Sequence, residues 1–118
     1  MFTKIVARLK TGSIPNVVPF GTATLPAPPY VVVKPERDAL GRGRMFRVIP
    51  HAGPDHQEFL SDYIFNELTA LLDGYTAESR LGNFNKVVSE QNWTDLIGNN
   101  DDGTISMERM FLVPSRLQ

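Results

Sequence analysis

The stretch "HAGPDHQEFLSDYIFNELTALLDG", residues 51–74, holds both histidines of the chain, five of its acids and its clearest helical pattern. At 100° per residue, Leu60, Ile64, Leu68 and Leu71 fall on one apolar stripe, flanked by Leu72, Phe65 and Tyr63. The spacing predicts a main helix over 55–73 whose apolar face meets the core. Asp55 follows Pro54 as the expected N-cap, Glu58 stands three residues on as its capping-box partner, and Asp73 with Gly74 closes the helix. The opposite stripe carries Asp55, Glu58, Asp62, Asn66, Thr69 and Asp73, with no lysine or arginine between 55 and 73. Like charges four apart, such as Glu58 and Asp62, cost about 0.2–0.5 kcal/mol in an isolated helix. The helix dipole favours acids in the first turn, which accounts for Asp55 and Glu58 and leaves Asp62 and Asp73 unexplained. Phe59 borders the acids. An aromatic beside unpaired carboxylates is the composition of an interface patch, although single exposed aromatics are common on any surface.

Upstream, "FTKIVARLK" places Phe2, Ile5, Val6 and Leu9 at helical spacing, with Gly12 as a stop, so a short amphipathic helix is expected over 2–10. Residues 13–29 contain prolines 15, 19, 26, 28 and 29, an extended segment that cannot be helix interior. "YVVV" (30–33) and "RMFRVI" (44–49) read as strands, joined by the charged loop "KPERDALGRG" at 34–43, longer than the usual hairpin connection. Downstream, "FNKVV" (84–88) and "TISMERMFLV" (104–113) read as two more strands, the second preceded by the turn "NNDDG" and stopped by Pro114. The order predicts an α+β fold: a single domain over 1–118 with an antiparallel sheet of about four strands flanked by two helices.

The totals agree with one soluble domain. A chain of 118 residues buries roughly two-thirds of its unfolded surface in one core. Its 42% hydrophobic and 21% charged content lies far from that of a disordered chain. No apolar run approaches the ~18 residues of a membrane span, and the basic residues near the start lie inside the apolar stretch rather than ahead of it. The expectation is a protein neither secreted nor in a membrane. The absence of cysteine removes disulfides, thiolate nucleophiles and cysteine zinc sites.

Enzymatic chemistry finds little support. His51 and His56 flank Asp55, but helical metal pairs need a spacing of three or four plus further ligands, and Gly53 and Pro54 break the segment. Both histidines read as surface or capping residues. No G-x-S-x-G elbow is present, and "GRGR" lacks a phosphate-cradling pattern. "NNDDG" lacks the alternating carboxylates of a calcium loop, whereas Asp-Gly suits a hairpin turn. No catalytic residue, metal or cofactor is therefore expected. Arg37, Arg42, Arg44 and Arg47, with Lys34, make the 34–47 region basic, yet the acids among them and a pI near 6.1 favour a protein partner over sequence-specific nucleic acid.

Charge is polarised along the chain. Residues 1–53 carry eight lysines and arginines against two acids, a balance of +6, and residues 54–118 carry four against eleven, a balance of −7. Either the halves neutralise each other internally, or a basic face on one copy meets an acidic face on the next. Complementary, non-identical patches produce head-to-tail contacts, which close into a ring if the rotation permits. The expected interface residues are Arg37, Arg42, Arg44, Arg47, Asp55, Glu58, Phe59 and Asp62.

The succession "PAPPYVVV", a long charged loop, "FRVIPHAG", "QEFLSDYIFNELTALLDG" and "NDDGTISMERMFLVP" resembles the tail-terminator and tail-completion proteins of long-tailed bacteriophages over most of residues 1–113. It is a resemblance of order and texture, since that family has no invariant chemical motif. It implies a small α/β fold and a hexameric ring that caps the tail tube, stops its growth and gives the head a docking surface. The implied partners are further copies of the chain, the tail-tube protein and a head-completion or connector protein, in a virion assembled in the host cytoplasm, with DNA able to pass through the ring. Another head–tail connector or neck subunit is the alternative within this class, and a monomeric binding module lies outside it.

Overall fold

The computed structural model describes residues 2–37, 41, 43–78, 84–86, 88–89 and 97–114. Helix α1 (Phe2–Leu9) leads into β1 (Val17–Pro19), β2 (Tyr30–Glu36) and β3 (Gly43–Ala52). A long helical rod follows, made of α2 (Gln57–Asp62), a π-helical turn (Tyr63–Glu67) and α3 (Leu68–Leu72). The described elements that follow are β4 (Thr76–Glu78), β5 (Phe84–Lys86), β6 (Val88–Ser89), β7 (Ile97–Asn99), β8 (Ile105–Met107) and β9 (Arg109–Pro114). The fold is α+β, as the element order predicts. No described helix is long and apolar enough to cross a membrane.

The sheet is mixed and larger than expected. Its backbone runs β1-β2-β3-β8-β7, while β9 continues β8 past Glu108 and pairs with β3 and β6. Among the described residues, counting β8 and β9 as one interrupted strand gives six strands; β4 and β5 form a separate two-stranded ribbon. The parallel member is β1, inside the proline-rich segment, where Val17, Val18 and Pro19 align with Val31, Val32 and Val33. Val31 N–H donates to Asn16 C=O at 2.8 Å and Phe20 N–H to Val33 C=O at 2.9 Å. Proline is tolerated here because β1 is an edge strand. The Pro28–Pro29 peptide is cis.

Strands β2 and β3 pair antiparallel from Tyr30↔His51 to Glu36↔Met45. All four residues of "YVVV" are buried, as expected of a strand covered on both faces. Val31 and Val33 join Phe46, Val48, Ala52 and Phe111 against the helices, whereas Tyr30, Val32 and Ile49 cluster on the other face.

The rod departs from its expected outline at both its start and its middle. The helix begins at Gln57 with His56 at the N-cap position and no side-chain cap. His56 N–H bonds Gly53 C=O at 3.0 Å, closing a turn with Pro54 at its second position, and that turn holds Asp55 outside the helix, so the Asp55–Glu58 capping box does not form. At the π-helical turn, Leu68 N–H reaches Tyr63 C=O, five residues back. Leu60, Ile64, Leu68 and Leu72 are each fully buried. In an uninterrupted α-helix four-residue steps would carry Leu72 about 120° round from Leu60, and one extra residue in a wide turn takes back about 100°. The turn therefore keeps all four on the core face. Leu71 is only partly buried, and Phe65 is 54% exposed instead of flanking the core. Glu67, within the turn, accepts from Ser13 N–H and Ser13 Oγ at 2.6 Å each, tying the rod to the end of α1. Gly12 makes that approach possible, since a Cβ there would stand 2.8 Å from Leu71 Cδ1.

Candidate functional site

Strand β3 separates the two charged regions. Arg44 lies near its start and Ala52 at its end, so the hairpin tip and the approach to α2 are about 26 Å apart along the strand. At the tip, Arg37 and Arg44 are exposed; Arg42 lies outside the described residues.

Arg47 has a different environment from its neighbours. Its side chain is 26% exposed, its Nη1 donates to Glu108 at 3.1 Å and its Nε lies 3.4 Å from Glu36. Lys34 approaches Glu36 at 3.5 Å. Alternation brings these groups together: Lys34 pairs across the ladder with Arg47, and Glu36 stands two residues from Lys34 on the same face. The two bases and two acids cancel. Arg47 is thereby engaged within the chain, while Arg37 and Arg44 supply the outward charge of the described tip.

At the other end, Asp55, Glu58, Phe59 and Asp62 are exposed on the opening turns of the rod. Asp62 accepts a 2.7 Å hydrogen bond from Asn66 Nδ2. The acidic stripe does not continue evenly. Thr69 accepts from Arg109 Nη1 at 3.1 Å, and the Arg109 guanidinium sits 5.5 Å from the centre of the Phe65 ring. Arg109 reaches this helix face from β9, while the acids at the start of the rod are exposed. Beside Phe59 opens a cleft of about 340 Å³ lined by Pro28, Pro29, Ala52, Gly53, His56 and Phe59. It joins the proline-rich segment, the end of β3 and the first turn of α2.

The two histidines are not a pair. His56 lines the cleft, whereas His51 stacks on Tyr30 with ring centres 4.6 Å apart. His51 Nδ1 lies 3.2 Å from Thr104 Oγ1 and 3.4 Å from Asn100 Nδ2. Thr104 donates its hydroxyl at 2.6 Å and its backbone N–H at 3.1 Å to Asp102 Oδ1, and Tyr30 donates to Asp102 Oδ2 at 2.9 Å. Asn100 Nδ2 also reaches Ser106 Oγ at 3.2 Å.

Burial pushes the His51 pKa down, opposed by the Asp102 charge. The Thr104 hydroxyl and backbone N–H, then the Tyr30 hydroxyl, hold the Asp102 carboxyl below its ordinary value. Burial raises Tyr30, with Asp102 adding to the effect. The cluster braces the "NNDDG" turn against β2 and β3. Asp102 bonds the backbone two residues on, and Gly103 adopts the positive φ of +84° that the turn requires. Among the described residues, Ser106 hydrogen-bonds Asn100 rather than a base that would activate it.

Sequence reasoning reached both charged ends and Phe59 but missed the pairing of Arg47 and the Tyr30–His51–Asp102 cluster. Only the Asp102-Gly103-Thr104 turn chemistry was visible locally; the remaining partners come from other strands. No protein-family model, no curated protein and no solved structure matches the chain.

Proposed function

We propose that the chain is a non-enzymatic assembly protein that associates head to tail into a closed ring. By its resemblance to tail-terminator proteins, this is a ring of six that caps a bacteriophage tail tube, stops its growth and presents a docking surface to the head or connector. The tail-tube protein and a head-completion protein are then its partners, in a virion assembled in the host cytoplasm. The observation that supports the reading is the placement of the exposed bases Arg37 and Arg44 at one end of β3 and the exposed acids Asp55, Glu58 and Asp62 on the turn and helix that follow its other end. The ends of β3 are about 26 Å apart, well past the ~8 Å Debye length of physiological salt, so charges set at opposite ends interact little within one chain. A second copy, displaced along β3, can bring them together. Such a contact is heterologous, and repetition closes it into a ring or extends it into a filament.

Native mass spectrometry across concentration and salt, with electron microscopy of large species, tests the reading. A closed ring that dissociates as salt rises is the expected result. A strict monomer that also fails to bind purified tail tubes overturns it. Charge reversal at Glu58 and Asp62 weakens self-association, and reversal at Arg42 and Arg44 partly restores it; assembly of both variants like the parent protein rejects this pairing.

A further inference from the structure

We propose that the cleft bounded by Phe59 and the Pro28–Pro29 pair is the seat for the β2–β3 hairpin tip of the next copy. The inference rests on the head-to-tail reading and specifies where its contact is made.

Three observations converge on this place. The cleft is mostly apolar, lined by Pro28, Pro29, Ala52, Gly53 and Phe59 together with His56. One lining residue is held by the sheet, because Ala52 is 2% exposed and pairs with Ile105. Phe59 is 37% exposed beside that cleft, which is the position of an aromatic anchor, and aromatic anchors seated in preformed pockets carry a large share of interface energy.

The charge around the cleft selects the occupant. Asp62 lies one helical turn beyond Phe59, Glu58 is adjacent to it, and Asp55 precedes the helix on the same approach; each is exposed. An acidic rim repels nucleic acid and anionic lipid surfaces and attracts a basic segment. The chain carries such a segment on its other end. Arg37 and Arg44 project at the hairpin tip, while the bases further down the same strands, Lys34 and Arg47, are already matched by Glu36 and Glu108. Among the described residues, the exposed bases thus stand at the β2–β3 end of the chain and the exposed acids around the cleft. Because the giving and receiving surfaces differ, one contact leaves each copy with one free end.

The absence of cysteine permits a direct test. Arg44→Cys and Glu58→Cys are made singly and together and treated with a short bis-maleimide. Within one chain these positions flank the length of β3, far beyond disulfide or short-linker reach. Mixing the two single variants is expected to give a mixed dimer, each alone to give none, and the double variant to give a ladder ending at the ring size. Phe59→Ala is expected to weaken assembly about tenfold, whereas Phe65→Ala, at an exposed aromatic held by Arg109, leaves it unchanged. Self-cross-linking of either single variant would mean a symmetric contact and overturn the inference. Rings that form without this cross-link would overturn the seat and leave the ring reading standing. A chain that forms no ring but whose cleft shields Glu58→Cys when a basic peptide from another protein is added would overturn both.

Discussion

The two faces of the sheet solve different problems. Toward the helices, Val31, Val33, Phe46, Val48 and Phe111 meet Leu60, Ile64, Leu68 and Leu72 in an apolar layer. The other face mixes Tyr30, Val32 and Ile49 with the Lys34–Glu36–Arg47–Glu108 ion pairs and the cluster around His51. The first face depends on filled volume, so any one of several residues contributes in proportion to what it fills. The second depends on partners, because a half-buried charge or hydroxyl is costly once its counterpart is removed. Loss of packing should therefore hurt more than loss of any one polar contact, while the polar face should respond to pH.

The largest effect is expected at Phe111, which is fully buried and stacks on Phe46 with ring centres 5.6 Å apart. Phe111→Ala should lower unfolding free energy by about 3–5 kcal/mol in denaturant titration. A loss below 1 kcal/mol would mean that the helix-covered face is not the principal core. On the other face, Arg47→Ala removes the base that Glu36 and Glu108 share, leaving Glu36 with Lys34. The expected cost is about 1–2 kcal/mol, less than at Phe111 because the side chains retain partial contact with water. A double-mutant cycle with Glu108→Ala should return a clear coupling energy, and strict additivity would show that the pair is incidental.

The smallest effect concerns His51. Burial depresses its pKa in the folded chain, so the unfolded chain binds the proton first as pH falls below the ordinary histidine value of about 6.5. Stability is thus full above that value, declines as pH drops toward the folded pKa, and levels off below it with respect to this group. Asp102 adds a separate loss at more acid pH, because its carboxyl is held low in the folded state. Melting temperatures measured from pH 7.5 to 5 should show the histidine step, and His51→Phe, which preserves stacking on Tyr30, should remove it. An unchanged profile in that variant would assign the step to another group.

The same division explains what could be read in advance. "YVVV" and "RMFRVI" announce β2 and β3 because β-branched and aromatic residues suit a buried ladder wherever it lies. The rod is equally plain in its apolar periodicity. Its wide turn left a subtler sign, the strict four-residue spacing of Leu60, Ile64, Leu68 and Leu72, which a plain α-helix cannot keep on one face. Strand β1 was hidden because three residues among prolines become a strand only when β2 offers its edge. Asp55 and Glu58 had the composition of a capping box, but the Gly53–His56 turn took precedence.

Charge polarity along the chain pointed to Arg37, Arg44, Asp55, Glu58 and Asp62, all of which are exposed. Composition alone could not show that Arg47 is matched by Glu108, 61 residues away in sequence, or that Tyr30, His51 and Asp102 meet. Polar contacts made across a sheet depend on register, which is set by the whole fold.

Strand β1 also bears on how this protein avoids unwanted company. A sheet edge with free N–H and C=O groups is a template on which foreign strands can grow into aggregates. Pro19, at the end of β1, has no N–H to offer, and its carbonyl already accepts from Thr22 N–H at 3.3 Å and Thr22 Oγ1 at 2.7 Å. The proline-rich segment thus blunts one margin of the sheet against fibril-like addition of foreign strands.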